Sequence, residues 1–187
     1  MRQRIAILGS TGSIGCNALD VIESLPGSFQ AVALSAHTQG EQLLEQARRH
    51  RPAAVALTCD SPDEALCARL EQLGSMVYRG SSGMVELVRR DDVDTVVAAV
   101  VGAAGLPAVL EAVRAGKRLA LANKEALVVA GSLLMPEARR RGTSILPVDS
   151  EHSAIFQAMQ CGRLAEVKRV VLTASGGPFC TWPVEQI

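Results

Sequence analysis

Aromatic side chains are scarce in this chain: one tryptophan, one tyrosine and three phenylalanines make up 3% of 187 residues. A core must therefore be built from aliphatic groups, which the 48% hydrophobic content can supply. An excess of charge of one sign is also missing, since nineteen basic residues balance nineteen acidic ones with no block of like charge. That removes a basic face for nucleic acid or an anionic membrane, and leaves any anionic ligand to be held by local geometry. No apolar run approaches the roughly 18 residues needed to cross a bilayer. The five cysteines (Cys16, Cys59, Cys67, Cys161, Cys180) are odd in number, scattered and in no Cys-x-x-Cys pair. Such usage suits a reducing compartment and no structural zinc. A strand begins within a few residues of Met1, leaving no room for a signal peptide. The expectation is a soluble, cytoplasmic protein with neither nucleic acid nor membrane as partner. At this length a compact chain buries roughly 70% of its unfolded surface, so no disulfide or metal staple is required.

What is present is an alternation of short apolar runs with amphipathic segments. Arg4 to Gly9, Ala31 to Ala36, Ala53 to Thr58, Met76 to Arg79, Thr95 to Val101, Arg118 to Ala122 and Thr143 to Val148 read as strands by length and composition. Ser13 to Leu25 reads as a helix with Ile14, Ala18, Val21, Ile22 and Leu25 inward, and Glu41 to His50 as one with Leu43, Leu44 and Ala47 inward. Ser61 as cap, Pro62 at the first helical position, Glu64 completing a capping box and Gly74 as stop delimit a third. Further helices are expected around Met84 to Arg89, from Leu106 to Ala115, and from Asn123 to Arg141 with an interruption at Pro136. These units predict an α/β fold, a Rossmann-like doubly wound, mostly parallel sheet covered on both faces. Ligands of such sheets sit at the carboxyl ends of the strands. After Glu151 a helix is expected to about Gln160, then a strand from Lys168 to Ala174, and a Ser175-Gly-Gly-Pro turn opens a segment that Ile187 does not close.

Gly9-Ser-Thr-Gly-Ser-Ile-Gly15 joins the first strand to the first helix. Its glycines allow a tight turn and bring the amides of Thr11 to Ile14 close to a pyrophosphate, which the helix N-terminus also favours. An ordinary glycine-rich turn would have the same sequence. At the end of the second strand an NAD enzyme usually presents Asp or Glu to the ribose. Here His37, Thr38 and Gln39 stand instead, with no carboxylate before Glu41, so NADP is favoured over NAD; His37 as a solvated loop residue fits equally. Val101-Gly-Ala-Ala-Gly-Leu106 would let the nicotinamide half lie against the backbone, or is simply a tight connection. In Asn123-Lys-Glu125, Asn123 can cap and Glu125 suits a first turn, but Lys124 at a helix N-terminus is unfavourable by about 0.3–1 kcal/mol, which suggests a ligand-facing task. Leu146-Pro-Val-Asp-Ser-Glu-His-Ser-Ala154 places Asp149 and Glu151 two residues apart at a strand end. Their mutual repulsion would be relieved by a hard divalent cation such as Mg²⁺ or Mn²⁺. The plainer reading is that Asp149 or Ser150 caps the helix that follows. Ser175-Gly-Gly could form an anion nest.

Other nucleotide enzymes fit less well. A short-chain dehydrogenase or epimerase needs Tyr-x-x-x-Lys, but Tyr78 is followed four residues on by Ser82. A semialdehyde dehydrogenase needs an activated cysteine, and Cys161 lacks a base partner.

Gly-Ser-Thr-Gly-Ser-Ile-Gly, Leu-Ala-Asn-Lys-Glu, Pro-Val-Asp-Ser-Glu-His-Ser-Ala-Ile-Phe-Gln and Thr-Ala-Ser-Gly-Gly-Pro-Phe occur in this order and spacing. Together they resemble the amino-terminal part of the 1-deoxy-D-xylulose 5-phosphate reductoisomerase family, over essentially the whole chain. The resemblance implies an NADPH- and divalent-metal-dependent enzyme (Mg²⁺ or Mn²⁺, with Co²⁺ as a further option). It would convert a phosphorylated ketose to 2-C-methyl-D-erythritol 4-phosphate on the route to isoprenoids. It assigns 1–149 to an NADPH-binding Rossmann-like domain and 150–187 to the beginning of an α+β catalytic and metal-binding domain. By the same resemblance Thr11, Gly12, Ser13 and Ile14 hold NADPH phosphates, and Asn123 and Glu125 contact the cofactor further along. Asp149 and Glu151 bind the metal, Lys124, Ser150, Glu151 and Ser175 the substrate, and Lys124 with the two carboxylates is catalytic. Some members carry Gly-Lys-Asn where this chain has His37, Thr38 and Gln39, so the 2′-phosphate contacts are the point of departure. A third metal carboxylate, a loop over the substrate and further phosphate ligands fall beyond Ile187 in the family pattern, and the complete protein is expected to be a homodimer. The rival of another class is an NADP-binding module without turnover, a truncated or degenerate copy.

Overall fold

The computed structural model describes residues 2–172 and 181–186. The elements are β1 (Gln3–Leu8), α1 (Ser13–Ser24), β2 (Phe29–Ala36), α2 (Gly40–His50), β3 (Ala54–Leu57), α3 (Glu64–Gln72), β4 (Met76–Arg79) and α4 (Gly83–Arg89). They continue with β5 (Thr95–Ala98), a 3₁₀ turn (Gly102–Gly105), α5 (Leu106–Arg114), β6 (Arg118–Leu121), α6 (Glu125–Arg141), β7 (Ile145–Pro147) and α7 (Ser150–Ala158). Strand order in the seven-stranded sheet is β4-β3-β2-β1-β5-β6-β7. The pairs β1–β2, β1–β5, β2–β3, β3–β4 and β5–β6 are parallel. The chain winds outward from β1 to β4, then returns to lay β5 against the other side of β1. This is a doubly wound α/β sheet whose strand order reverses beside β1, where such folds open a crevice.

Alternation along the strands builds two cores. Ile5 and Ile7 join Leu19, Ile22, Leu34, Leu43, Leu44, Val55 and Leu70 on the face covered by α1, α2 and α3. Ala6 and Leu8 join Leu87, Val88, Val96, Val109, Val113, Leu119 and Leu134 on the face covered by α4, α5 and α6. Burial at roughly 25 cal/mol per Å² of apolar surface makes these two aliphatic layers the main stabilising term. Among the described residues no helix is long and apolar enough to cross a membrane.

Several expectations are corrected. The buried face of α1 carries Gly15, Leu19 and Ile22, while Ile14, Val21 and Leu25 are exposed. The reason is Gly15, where an added Cβ would lie 2.3 Å from the Gly9 carbonyl oxygen. This bare backbone, and not the apolar stripe, sets how α1 docks. The third helix begins at Glu64, capped by Asp63, whose carboxylate accepts from the Ala65 amide at 2.9 Å; Ser61 and Pro62 precede it. Helix α6 runs through Pro136 and breaks instead at Ala130 (φ −133°, ψ 17°), beside the Gly131-Ser132 pair, a common kink site. Strand β5 stops at Ala98 rather than Val101, because the following carbonyls turn to a side chain described below.

By internal packing the chain divides into Met1–Leu146 and Pro147–Ile187. In the second unit α7 buries no side chain. Residues 168–172 of the expected strand carry no strand, and Val170, Val171 and Leu172 are exposed. A strand requires a neighbour to take its backbone hydrogen bonds, and none of the described residues supplies one. Thr173, Ala174 and the turn from Ser175 lie outside the described residues.

Candidate functional site

The β1–α1 loop is fixed from below. Gly9 takes φ 78°, and a Cβ there would lie 2.9 Å from the Ala99 carbonyl oxygen. Its amide donates to Ser35 Oγ at 3.0 Å. Ser10 is fully buried; its amide donates to the Ser35 carbonyl at 2.8 Å, and its hydroxyl lies within reach of that carbonyl (3.2 Å) and of Gln46 Oε1 (2.7 Å). The loop thus hangs from β2 and from α2. Gly12 is the N-cap of α1, makes no side-chain cap bond, and no acidic residue occupies the first turn. The first-turn amides from Ser13 onward have no intrahelical acceptor, so they and the positive end of the helix dipole are available to an anion.

The Gly12 backbone (φ −77°, ψ 168°) suits any residue, and an added Cβ would meet only the Gly9 carbonyl, at 3.4 Å. Neither its backbone angles nor its neighbours require glycine at this position.

Thr11 and Gly12 open onto a cavity of about 340 Å³ at the carboxyl ends of the strands. Past β2 it is lined by His37, Thr38 and Gln39, past β3 by Thr58, and past β5 by Val100, Val101 and Ala104. No lining residue is acidic. His37 Nδ1 lies 3.1 Å from Thr58 Oγ1, which is itself 3.4 Å from the Ala36 carbonyl oxygen. Thr58 was missed by sequence reasoning; the only signal was a hydroxyl closing the strand beside β2. Ser13, Ile14, Asn123, Lys124 and Glu125 do not line the cavity.

Two larger cavities lie away from the carboxyl ends of the strands. One, about 490 Å³, lies between α1 and α2 beside Cys16, Gln46 and His50. The other, about 800 Å³, lies at the amino ends of the strands beside Arg4, Asp94 and Arg118. The latter adjoins Gly116 and Gly142, where α5 and α6 end and the helix dipole disfavours anions.

Asn123 closes β6, and its carboxamide oxygen accepts from the Ala126 amide at 3.2 Å, capping α6. Lys124 and Glu125 follow as exposed residues at the start of that helix.

In the second unit Asp149 is the N-cap of α7. Its Oδ2 accepts from the His152 amide at 3.4 Å and lies 2.5 Å from His152 Nδ1. Ser150 Oγ donates to Glu151 Oε2 at 2.9 Å. The capping role and the carboxylate pair therefore coexist in one turn. Two carboxylates and a hydroxyl are the right donors for a hard divalent cation, which takes about six oxygens and would draw the others from elsewhere. Among the described residues no group of three or more His, Cys, Asp or Glu side chains could hold a metal ion. Ser175 lies outside the described residues.

A glycine-turned βα loop, an uncapped helix N-terminus and a cleft where strand order reverses define a Rossmann-like α/β domain of the dinucleotide-binding class. Residues 5–131 match the family described as 1-deoxy-D-xylulose 5-phosphate reductoisomerase, and 145–187 match its C-terminal domain. The chain belongs to the 1-deoxy-D-xylulose 5-phosphate reductoisomerase family. It is 46% identical over 185 residues to the reductoisomerase of Geotalea uraniireducens (strain Rf4), covering 99% of this chain and 48% of that one. The solved enzyme from Zymomonas mobilis in complex with NADPH is 39% identical, with a TM-score of 0.87 over 100% of this chain and 49% of its own. A further reductoisomerase structure, in complex with NADPH, fosmidomycin and magnesium, is 41% identical, with a TM-score of 0.80 over 84% of this chain and 40% of its own. The chain spans about half the length of the curated relatives it matches.

Proposed function

We propose that this chain is the cofactor- and metal-binding part of an NADPH-dependent reductoisomerase that converts 1-deoxy-D-xylulose 5-phosphate to 2-C-methyl-D-erythritol 4-phosphate. The observation that carries the reading is the cleft at the strand-order reversal. It is lined by Thr11 and Gly12 of the glycine-turned β1–α1 loop, and by imidazole, hydroxyl and amide groups where an NAD site would have a carboxylate. The presence of NADPH in the Zymomonas relative supports it.

On this reading Met1–Leu146, with the strand end to residue 149, binds NADPH, and 150–187 begins the catalytic domain. The amides of Thr11, Ser13 and Ile14 take the pyrophosphate beside Gly12, whose own amide donates to the Gly9 carbonyl at 3.1 Å, and His37, Thr38 and Gln39, with Thr58 behind them, face the 2′-phosphate. Asp149 and Glu151 hold Mg²⁺ or Mn²⁺, consistent with the magnesium of a solved relative. When bound, the two groups supply a hydride and Lewis acidity at the substrate oxygens. Lys124 sets a positive charge where negative charge develops, and Glu125 contacts the cofactor beside it. Ser150, Glu151 and Ser175 orient the phosphorylated ketose. The complete protein is a cytoplasmic homodimer on this proposal. The four described cysteines are free thiols, as a reducing compartment requires. The 187-residue chain alone binds NADPH without turnover, because two carboxylates alone hold a divalent cation weakly, the rest of its shell being water.

The test is a fluorescence titration of this chain with NADPH and with NADH. Saturable binding of NADPH, tighter than NADH, is expected. Binding of neither would overturn the reading, and equal binding would remove the 2′-phosphate assignment.

A further inference from the structure

Asn123 enters the family pattern as a cofactor contact, yet its carboxamide is committed elsewhere. The residue is 5% exposed. Both Nδ2 hydrogens go to one loop, the first to the Val100 carbonyl and the second to the Gly102 carbonyl at 2.7 Å. The carboxamide oxygen takes the Ala126 amide. An asparagine side chain has two N–H donors and one carbonyl oxygen, so neither donor remains for a ligand.

The loop it holds is a wall of the nucleotide cavity, since Val100, Val101 and Ala104 all line it. Strand β5 ends at Ala98, the Ala99 amide making the last bond to β1 at the Leu8 carbonyl, and from Val100 onward the carbonyls turn to Asn123. The segment also abuts the phosphate loop, as the close approach of Gly9 to the Ala99 carbonyl shows. Strand order then says which half of the ligand meets this wall. His37, Thr38 and Gln39 follow β2 on one side of β1, and Val100 to Ala104 follow β5 on the other. A dinucleotide whose pyrophosphate sits at the β1–α1 loop and whose 2′-phosphate faces β2 must extend its nicotinamide half toward β5.

We infer that Asn123 is a positioning residue: its two N–H groups pull the Val100–Gly102 wall onto the start of α6 and so shape the nicotinamide side of the cleft. The inference rests on the dinucleotide reading above. Replacement by aspartate separates its two tasks. A carboxylate can still cap α6, where negative charge is favoured, but it would present oxygen to two carbonyl oxygens and push the wall away.

The experiment titrates the 187-residue chain and its N123D form with NADPH and with adenosine 2′,5′-bisphosphate, which carries the adenine side only. N123D is expected to weaken NADPH about tenfold, the scale of losing buried hydrogen bonds, and to leave the bisphosphate within about twofold. Asn123→Ser keeps a capping hydroxyl but cannot span both carbonyls, and should give the same split if N123D fails to fold. Equal weakening of both ligands would mean a general structural role and overturn the inference. Unchanged NADPH affinity would overturn it too. If the parent chain binds neither ligand, the dinucleotide reading falls first and this one with it.

Discussion

Gln46 grips Ser10 at two points: its Nε2 donates to the Ser10 carbonyl at 2.8 Å, and its Oε1 lies 2.7 Å from the Ser10 hydroxyl. The pair links the second turn of α2 to the phosphate loop. Because α2 starts immediately after Gln39, one helix steadies both the β1–α1 loop and the loop after β2, the proposed pyrophosphate and 2′-phosphate sides of the cleft. Gln46→Leu keeps the bulk and removes both bonds. Stability is expected to fall by about 1–2 kcal/mol and NADPH affinity several-fold, read by thermal melting and titration. A destabilised chain with parental NADPH affinity would show that α2 does not control the loop.

The glycines of the phosphate loop separate fold from ligand. Gly12→Val should change stability by no more than about 0.5 kcal/mol, as for an exposed position, because its backbone angles are ordinary. It should weaken NADPH about tenfold or more, since an isopropyl group would stand where phosphate oxygens meet the amides. Gly15→Ala should do the opposite first, costing about 1–3 kcal/mol by overpacking, because its Cβ would enter the backbone of Gly9 and Ser10. Denaturant curves beside titrations separate the two effects. A Gly12→Val protein that binds NADPH normally would remove the phosphate-loop assignment.

Element order was readable because each strand is a short apolar run closed by glycine or a polar residue, as in Ile5-Ala-Ile-Leu-Gly9. What could not be read depends on backbone contact. Ile14, Val21 and Leu25 imitate a buried stripe, yet the docking of α1 is set by Gly15, a residue without a side chain to count. Pro136 is the stronger breaker by propensity, but Gly131 and Ser132 lie where the helix bends. In the candidate site, Thr11, Gly12, His37, Thr38 and Gln39 could be named from local motifs and they line one cavity, whereas residues recruited across the fold could not be named. Gln46 lies 36 positions from Ser10, and Thr58 lies 21 from His37; neither has a local pattern to announce it.

Recognition of the 2′-phosphate should depend on His37. Its Nδ1 lies 3.1 Å from Thr58 Oγ1, which leaves Nε2 for a ligand. His37→Ala is expected to weaken NADPH about tenfold, as for a hydrogen bond to a charged group, while NADH changes little. Thr58→Val should give a smaller loss of the same preference by freeing the imidazole. Parallel losses for both nucleotides would place His37 outside the 2′-phosphate contact.

Asp94 supplies an acid-sensitive part of the stability. Its carboxylate receives the Arg4 amide, Nε and Nη2 at 3.0, 3.0 and 2.7 Å. These bonds, with the guanidinium's charge, lower its pKa from 3.8 to about 2. A carboxylate with a depressed folded pKa stabilises fully above its unfolded value and loses that contribution as pH falls through the folded one. Asp94→Asn should therefore cost about 1 kcal/mol at pH 7, discounted for a half-exposed pair. The difference from the parent should shrink between pH 4 and about 2. Glu137, also lowered to about 2 beside Arg140 and Arg141, keeps its own slope in both proteins, so only the difference curve isolates Asp94. A difference that stays constant with pH would contradict the pairing.

The carboxylate pair at the start of α7 carries the metal proposal. Asp149 has a structural task as the N-cap, so its removal would confuse helix loss with metal loss. Glu151 sits in the first turn, its Oε2 taking the Ser150 hydroxyl at 2.9 Å, and it is the cleaner position to alter. Glu151→Gln keeps shape and hydrogen bonding but gives up the charge that a divalent cation needs. Titration of the 187-residue chain with Mn²⁺, followed by electron paramagnetic resonance, should show weak binding that Glu151→Gln abolishes, with NADPH affinity unchanged. Loss of NADPH binding together with Mn²⁺ binding would give Glu151 a structural role. Mn²⁺ binding that survives the substitution would move the cation to other ligands.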